Sequence, residues 1–320
     1  MGEISAGTRA PPVIGPLQDA HLPEAERIFR HAFGTFFGAP DPDTFWADRD
    51  MVYGRQRAPH VAAFAATADG ALAGSNFATN WGSFGFFGPI TVRPDLHERG
   101  IAQALLARTM EQFDTWQTRH AGLFTFAQSA KHVGLYQKFG FYARFLTAIM
   151  SKKAQANRAE VLRFSALSTA QREDVLKSCR EVTESIYEGL DLTEEIRTTS
   201  MQNVGETLLL LGPKGVAAFA VCHYGPASEA GSDTCFVKFG AVRSGPSAER
   251  DFERLLETCE ALAVAEHMPV LLAGVNMGRH EAYRAMVARG FRSEIQGVAM
   301  HRHNDPGFCR PGVYVLDDWR

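Results

Sequence analysis

Near the middle of the first half, Ala102, Leu105, Leu106 and Phe113, with Thr109 among them, keep the i, i+3, i+4, i+7 spacing of one buried helical face. This predicts a long amphipathic helix over residues 100–119. Before and after it, apolar residues come in runs of strand length: "VIGPL", "HVAAFAAT", "ALAGSNFATN", "FGFFGPITV", "GLFTFA" and "FYARFLTAIM". A helix from Pro23 onward and a short one over residues 131–138 complete the pattern. Strands alternating with helices predict an α/β sheet with parallel pairs, because parallel neighbours need crossover connections.

The same order of elements then returns. "TVRP" at 91–94 recurs as "AVRS" at 241–244, an offset of 150 residues. That offset carries Leu105-Leu106 onto Leu255-Leu256 and Gly140-Phe141 onto Gly290-Phe291. It also carries the "TAIM" ending at Met150 onto the "GVAM" ending at Met300. Phe252, Leu255, Leu256, Cys259 and Ala263 copy the helical stripe. One offset kept across separate elements identifies a tandem duplication. The polar run "SKKAQANRAE" at 151–160 is the expected junction, giving halves of 1–152 and 153–320.

Composition narrows the function classes. The 320 residues are 45% hydrophobic and 22% charged, with a formal net charge of −3, which offers no general attraction for nucleic acid. No apolar run approaches the roughly 20 residues of a membrane-spanning helix. The opening "MGEISAGTRAPP" lacks the basic and apolar regions of a secretory signal, and Ala6 stands where a myristoylation pattern needs Ser or Thr. Cys179, Cys222, Cys235, Cys259 and Cys309 all lie in the second half at irregular spacing. They read as buried thiols of a cytoplasmic protein rather than a disulfide framework or a zinc site. "HRHND" puts His301 and His303 on one face of a strand, but no third ligand accompanies them, so no metal is expected.

The stretch "VRPDLHERGIAQALL", 92–106, is a strand that turns into a helix at a glycine. Such a corner presents unpaired backbone N–H groups and the positive end of the helix dipole, a geometry suited to a phosphate. Gly100 leaves the backbone open to a ligand, Ala102 is the next smallest choice, and Arg99 adds a cation. Followed by "GLYQKFGF", this stretch resembles the GCN5-related N-acetyltransferase (GNAT) superfamily over about residues 12–150. His97, Glu98, Arg99, Gly100, Ile101 and Ala102 match its phosphate motif, Q/R-x-x-G-x-G/A, except that His97 replaces the usual Gln or Arg. The resemblance implies two tandem GNAT-like domains, each a mixed, mostly antiparallel sheet with one splayed parallel pair and flanking helices. It further implies that acetyl-CoA is the cosubstrate. The pyrophosphate would rest on residues 97–103, Gln103 included, and the pantetheine would bond backbone at Ile90, Thr91 and Val92, with Ser129 and Tyr136 alongside.

Acetyl transfer to an amine needs a neutral amine, a polarised thioester carbonyl and a proton for the departing thiolate. For a lysine-like amine, deprotonation at neutral pH costs roughly 4–5 kcal/mol without help. The resemblance implies that Tyr136 protonates the thiolate, as a phenol held near the sulfur is able to. The base is left open, since neither strand beside the cleft carries an acid. The candidates are Ser129, His132, a water wire, or the carboxylate of a C-terminus in "YVLDDWR". For the acceptor, Trp46, Trp81, Phe84 and Phe86 are expected as apolar walls, with Asp41, Asp43, Asp48 and Asp50 drawing a cationic amine. In the second half, Ser247, Arg250 and Phe252 replace His97, Gly100 and Ala102, and Met286 replaces Tyr136. That copy is expected to bind no CoA and to shape the acceptor site. The overall expectation is an acetyl-CoA-dependent N-acetyltransferase for a small-molecule or exposed protein amine, with neither nucleic acid nor membrane as partner. Two alternatives stand beside it: a non-catalytic acyl-CoA sensor, and an acyltransferase with a longer acyl donor or an oxygen acceptor.

Overall fold

The computed structural model describes residues 10–320. Most of the segment read above as lacking a secretory signal lies outside the described residues. In the first half the elements are β1 (Val13–Pro16), α1 (Leu22–Phe37), α2 (Tyr53–Arg57), β2 (Val61–Ala68), β3 (Ala71–Trp81), β4 (Phe84–Phe87), β5 (Thr91–Val92), α3 (Ile101–Thr115), β6 (His120–Thr125), α4 (Ala130–Gln137) and β7 (Phe141–Lys153). The second half follows with β8 (Leu162–Arg163), α5 (Thr169–Glu184), α6 (Thr193–Gln202), β9 (Gly205–Gly212), β10 (Gly215–Gly225), β11 (Gly231–Val242), α7 (Ala248–Ala265), β12 (Val270–Asn276), α8 (His280–Ala288), β13 (Arg292–Arg302) and β14 (Val315–Leu316). The helix expected over 100–119 is shorter, ending at Thr115, and Gly100 is its N-cap.

The strands form one sheet in the order β1-β2-β3-β4-β6-β13-β7-β12-β11-β10-β9-β8. All pairs are antiparallel except β4 with β6 and β11 with β12, the two expected parallel pairs. The two halves do not keep separate sheets. They exchange one long strand each: β13 of the second half pairs β6, while β7 of the first half pairs β12. The exchange runs one hydrogen-bonded ladder through the whole chain, so each half completes the other.

Alternation along the strands decides which helices cover which face. On β2, Phe64 and Ala66 point to the cluster built on α3, while Ala65 joins the α1 cluster with Phe29 and Phe77. The second half repeats this: Ala218, Ala220 and Cys222 face α7, and Phe219 and Val221 face α5 and α6. The five cysteines are all free and buried.

Candidate active site

The parallel ladder of β4 and β6 is short, running from Phe84↔His120 to Phe86↔Gly122. Beyond it β5 moves across to pair with β3. The two strands therefore splay, and the gap opens into a cleft of about 880 Å³. Ile90, Thr91 and Val92 form part of one wall, and Phe124, Thr125 and Phe126 part of the other.

At one end of the cleft lies the phosphate-type corner. Gly100 sits in the left-handed region at φ 75°, and the first helical bond of α3 runs from Ala104 N–H to the Gly100 carbonyl at 3.0 Å. The N–H groups of Ile101, Ala102 and Gln103 consequently have no partner within the helix. His97, Glu98, Gly100, Ile101, Ala102 and Gln103 all line the cleft. Arg99 does not; it turns outward and approaches Asp69 at 3.4 Å.

Midway along the cleft, α4 delivers Tyr136, buried and packed edge-on against Phe87 with ring centroids 5.7 Å apart. Burial pushes its phenol well above the ordinary value, opposed only by the Thr125 side chain, so it holds its proton at neutral pH. Ser129 and His132, at the start of the same helix, also line the cleft and share a 2.9 Å hydrogen bond. Burial, with Lys131 nearby, holds the His132 imidazole below its usual range, which favours the neutral ring.

The far end is apolar. Trp46 is there with Phe33, Phe37, Met51, Ile149 and Ile295. The loop carrying Trp46 is tied to α1 by Arg30, whose Nη1 donates to the carbonyls of Phe45, at 3.0 Å, and Trp46. Trp81, Phe84 and Phe86 are elsewhere. They are fully buried in the cluster that joins β3 and β4 to α5 and α6, and Trp81 Nε1 donates to Glu195 at 3.0 Å. Strand alternation explains the difference, because these rings occupy the face covered by the second half. Nor do the four aspartates face the cleft. Asp43 meets His31 at 2.8 Å, Asp48 accepts from Ser232 N–H, Asp50 caps α2, and Asp41 caps the short turn that follows α1. Ile149 and Ile295 had no sequence signal, because their strands reach the cleft only through the exchange.

The second splay, between β11 and β12, is filled by the protein itself. β14 pairs β11 at Gly240↔Leu316 and Ala241↔Val315, and Asp317 N–H donates across to the Gly274 carbonyl at 3.0 Å. A buried ion pair, Arg279 with Asp317 at 2.6 Å, holds the strand in place. α7 begins at Ala248, ahead of the projected glycine position, and Phe252 and Met286 are fully buried. Past β14 the chain re-enters the first cleft, where Trp319 and Arg320 line the far end. Arg55 secures that return: Nε meets Glu229 at 2.9 Å, Nη1 donates to Gly88 O at 2.5 Å and Nη2 to Arg320 O at 2.6 Å. His301 lies against His120, Nδ1 to Nε2 at 2.9 Å, while His303 is exposed in the following turn. Among the described residues no cluster of three or more His, Cys, Asp or Glu is placed to hold a metal ion.

The family model of the Acetyltransferase (GNAT) family matches residues 23–141. No curated protein matches the chain. Among solved structures, an acetyltransferase candidate of Pyrococcus horikoshii shares 13% identity over 95% of this chain and 93% of its own, with a TM-score of 0.64. A GCN5-related N-acetyltransferase from Sphaerobacter thermophilus shares 12% over 92% and 96%, with a TM-score of 0.57. A tandem GNAT protein from the clavulanic acid biosynthesis pathway shares 14% over 91% and 98%, with a TM-score of 0.54. At these identities the likeness is one of fold, and it spans both halves.

Proposed function

We propose that the protein, whose residues 23–141 match the Acetyltransferase (GNAT) family model, is an acetyl-CoA-dependent N-acetyltransferase for a primary amine, with one active cleft per chain. The observation that carries this reading is a single continuous cleft joining three unpartnered helix N–H groups to a buried, protonated phenol. The N–H groups of residues 101–103 suit a pyrophosphate, and Glu98 beside them is, among the described residues, the one side-chain carboxylate along the lining. The amine nitrogen attacks the thioester carbonyl carbon, the C–S bond breaks, and Tyr136 gives its proton to the leaving thiolate; the attacking nitrogen then gives up its surplus proton to water, and water returns one to Tyr136. Because burial favours the neutral phenol, Tyr136 is loaded for that step at any pH near neutrality.

The second half binds no CoA in this reading, since β14 takes up its splay. It contributes instead β13, the tail and the cluster around Trp81. An amine panel with acetyl-CoA, following release of the free thiol, tests the proposal. Turnover that Tyr136→Phe strongly lowers while CoA still binds supports an enzyme. CoA binding with no turnover on any amine supports the sensor reading instead. The same assay with longer acyl thioesters sets the acyl length, which the aromatic walls Phe36, Phe37 and Phe126 leave room to vary.

A further inference from the structure

The acceptor end of the cleft is apolar except for one side chain. Arg320 is brought there by the tail, and none of the four aspartates of the 41–50 loop lines the cleft beside it. Its guanidinium stacks over Phe236 at 4.0 Å, and Nε approaches Asp318 at 3.4 Å. The side chain is 12% exposed, yet among the described residues its Nη2 is buried without a hydrogen-bond partner. Two neighbouring donors share that condition, Trp319 Nε1 and Arg49 Nε. Arg49 lies flat on Trp46, 4.5 Å from the ring centroid. Burial and the nearby Arg320 charge both push its guanidinium below the ordinary value. The two positive charges thus repel one another in a largely apolar setting. Of the carboxylates near them, Asp48 is held by Ser232, Glu294 by Ser151, and Asp318 meets the Arg320 guanidinium only through Oδ1 at Nε, leaving Nη2 free among the described residues. Buried donors left unpaired are costly, and like charges placed together add to that cost. An oxygen anion arriving from the cleft at Arg320 Nη2 relieves both.

We propose that the acceptor carries a carboxylate beside its apolar body, and that Arg320 receives that carboxylate at the end of the cleft lined by Trp46 and Trp319. This rests on the cleft being the acyl-transfer site, and it names the acceptor as an amino acid or amino-acid-like amine with an aromatic or aliphatic side chain. The same environment assists the chemistry. An apolar wall and a nearby cation both disfavour an ammonium, so the amine is drawn toward the neutral form that attacks. No acid on the lining is then required for selecting the acceptor. Arg320 is a specificity-determining residue, and β14 is the element that positions it.

The test uses the full chain and probes that need no turnover. CoA is titrated first; a chain that fails to bind CoA sinks the reading of the cleft, not the subsite. With CoA bound, 3-phenylpropionate and its neutral amide, 3-phenylpropanamide, are titrated into wild type, Arg320→Gln and Arg320→Lys. The expected result is at least a ten-fold preference for the carboxylate in wild type, collapsing to near unity in Arg320→Gln and kept in large part in Arg320→Lys. Thermal unfolding of the variants checks that each is folded. No binding of the carboxylate, equal binding of the two probes, or a preference that survives Arg320→Gln in a folded protein would overturn the proposal.

Discussion

The backbone N–H of Asp317 donates to the carbonyl of Gly274 at 3.0 Å, across the splay between β11 and β12. The corresponding splay in the first half is an open cleft. One repeated architecture therefore has two outcomes. In the second half the chain supplies its own extended strand; in the first the same space stays open. The backbone groups of a splayed edge need partners, and a peptide strand satisfies them as well as a pantetheine amide does.

That relationship makes Gly274 sensitive. A Cβ at this position would stand 2.3 Å from Asp318 Cβ and 2.9 Å from Asp317 O, so the tail would have to shift. Gly274→Val is expected to cost about 1–3 kcal/mol of stability. It should also change acceptor KM while leaving the CoA Kd within about two-fold, because the shifted tail carries Trp319 and Arg320 with it. Chemical denaturation together with calorimetry on the same variant measures both effects.

Gly100 is expected to respond in the opposite way. Its φ of 75° strains a β-branched residue by roughly 1–2 kcal/mol, although only Gln103 lies within 4 Å of a Cβ there. Gly100→Val should lower stability modestly and weaken CoA binding by about ten-fold or more, since the added side chain stands over the unpaired N–H groups. Calorimetric titration of CoA is the deciding measurement.

Tyr136→Phe keeps the packing on Phe87 and removes only the proton. The turnover number should fall by about 10²-fold or more, the usual contribution of a positioned general acid, with little change in KM. Burial raises the phenol above its ordinary value of 10, and a raised acid remains protonated to higher pH. The wild-type rate should therefore show no loss from this group until the pH exceeds 10. A pH–rate profile of wild type against the variant reads this directly.

The His120–His301 pair ties stability to acid. Burial holds the two imidazoles down to about 4 and about 3, against 6.5 in an unfolded chain. A depressed value means that the unfolded state takes up protons first. The full contribution is present above pH 6.5 and is lost progressively as pH falls through the folded values. Between pH 6.5 and 4 the slope is on the order of 1.4 kcal/mol per pH unit for each histidine. Tm measured across this window should fall, and His301→Gln should flatten the fall.

Much of the fold is legible in the order of residues. The stripe from Ala102 to Phe113 and the strand-length runs report which side of each element is apolar, and that follows from the 3.6 and 2.0 periods alone. The constant offset exposes the duplication, since similar cores keep similar spacing. Gly100 and Tyr136 stand out because the duplicate lacks both. Less legible are the aromatics. Trp46 does line the cleft, whereas Trp81, Phe84 and Phe86 join the core beneath α5 and α6. A strand reads the same whether its apolar face meets a ligand or a neighbouring half.

The sequence by itself determined the elements, the repeat and the phosphate-type corner, because each is written in neighbouring residues or in a fixed period. Only the tertiary structure decided that β7 and β13 change places, that β14 fills the second splay, and that Trp319 and Arg320 end up in the first cleft. Those outcomes depend on contacts between residues hundreds of positions apart, such as Arg55 with Arg320. Local pattern sets which face of a strand is apolar. Which partner covers that face is settled when the whole chain competes for it.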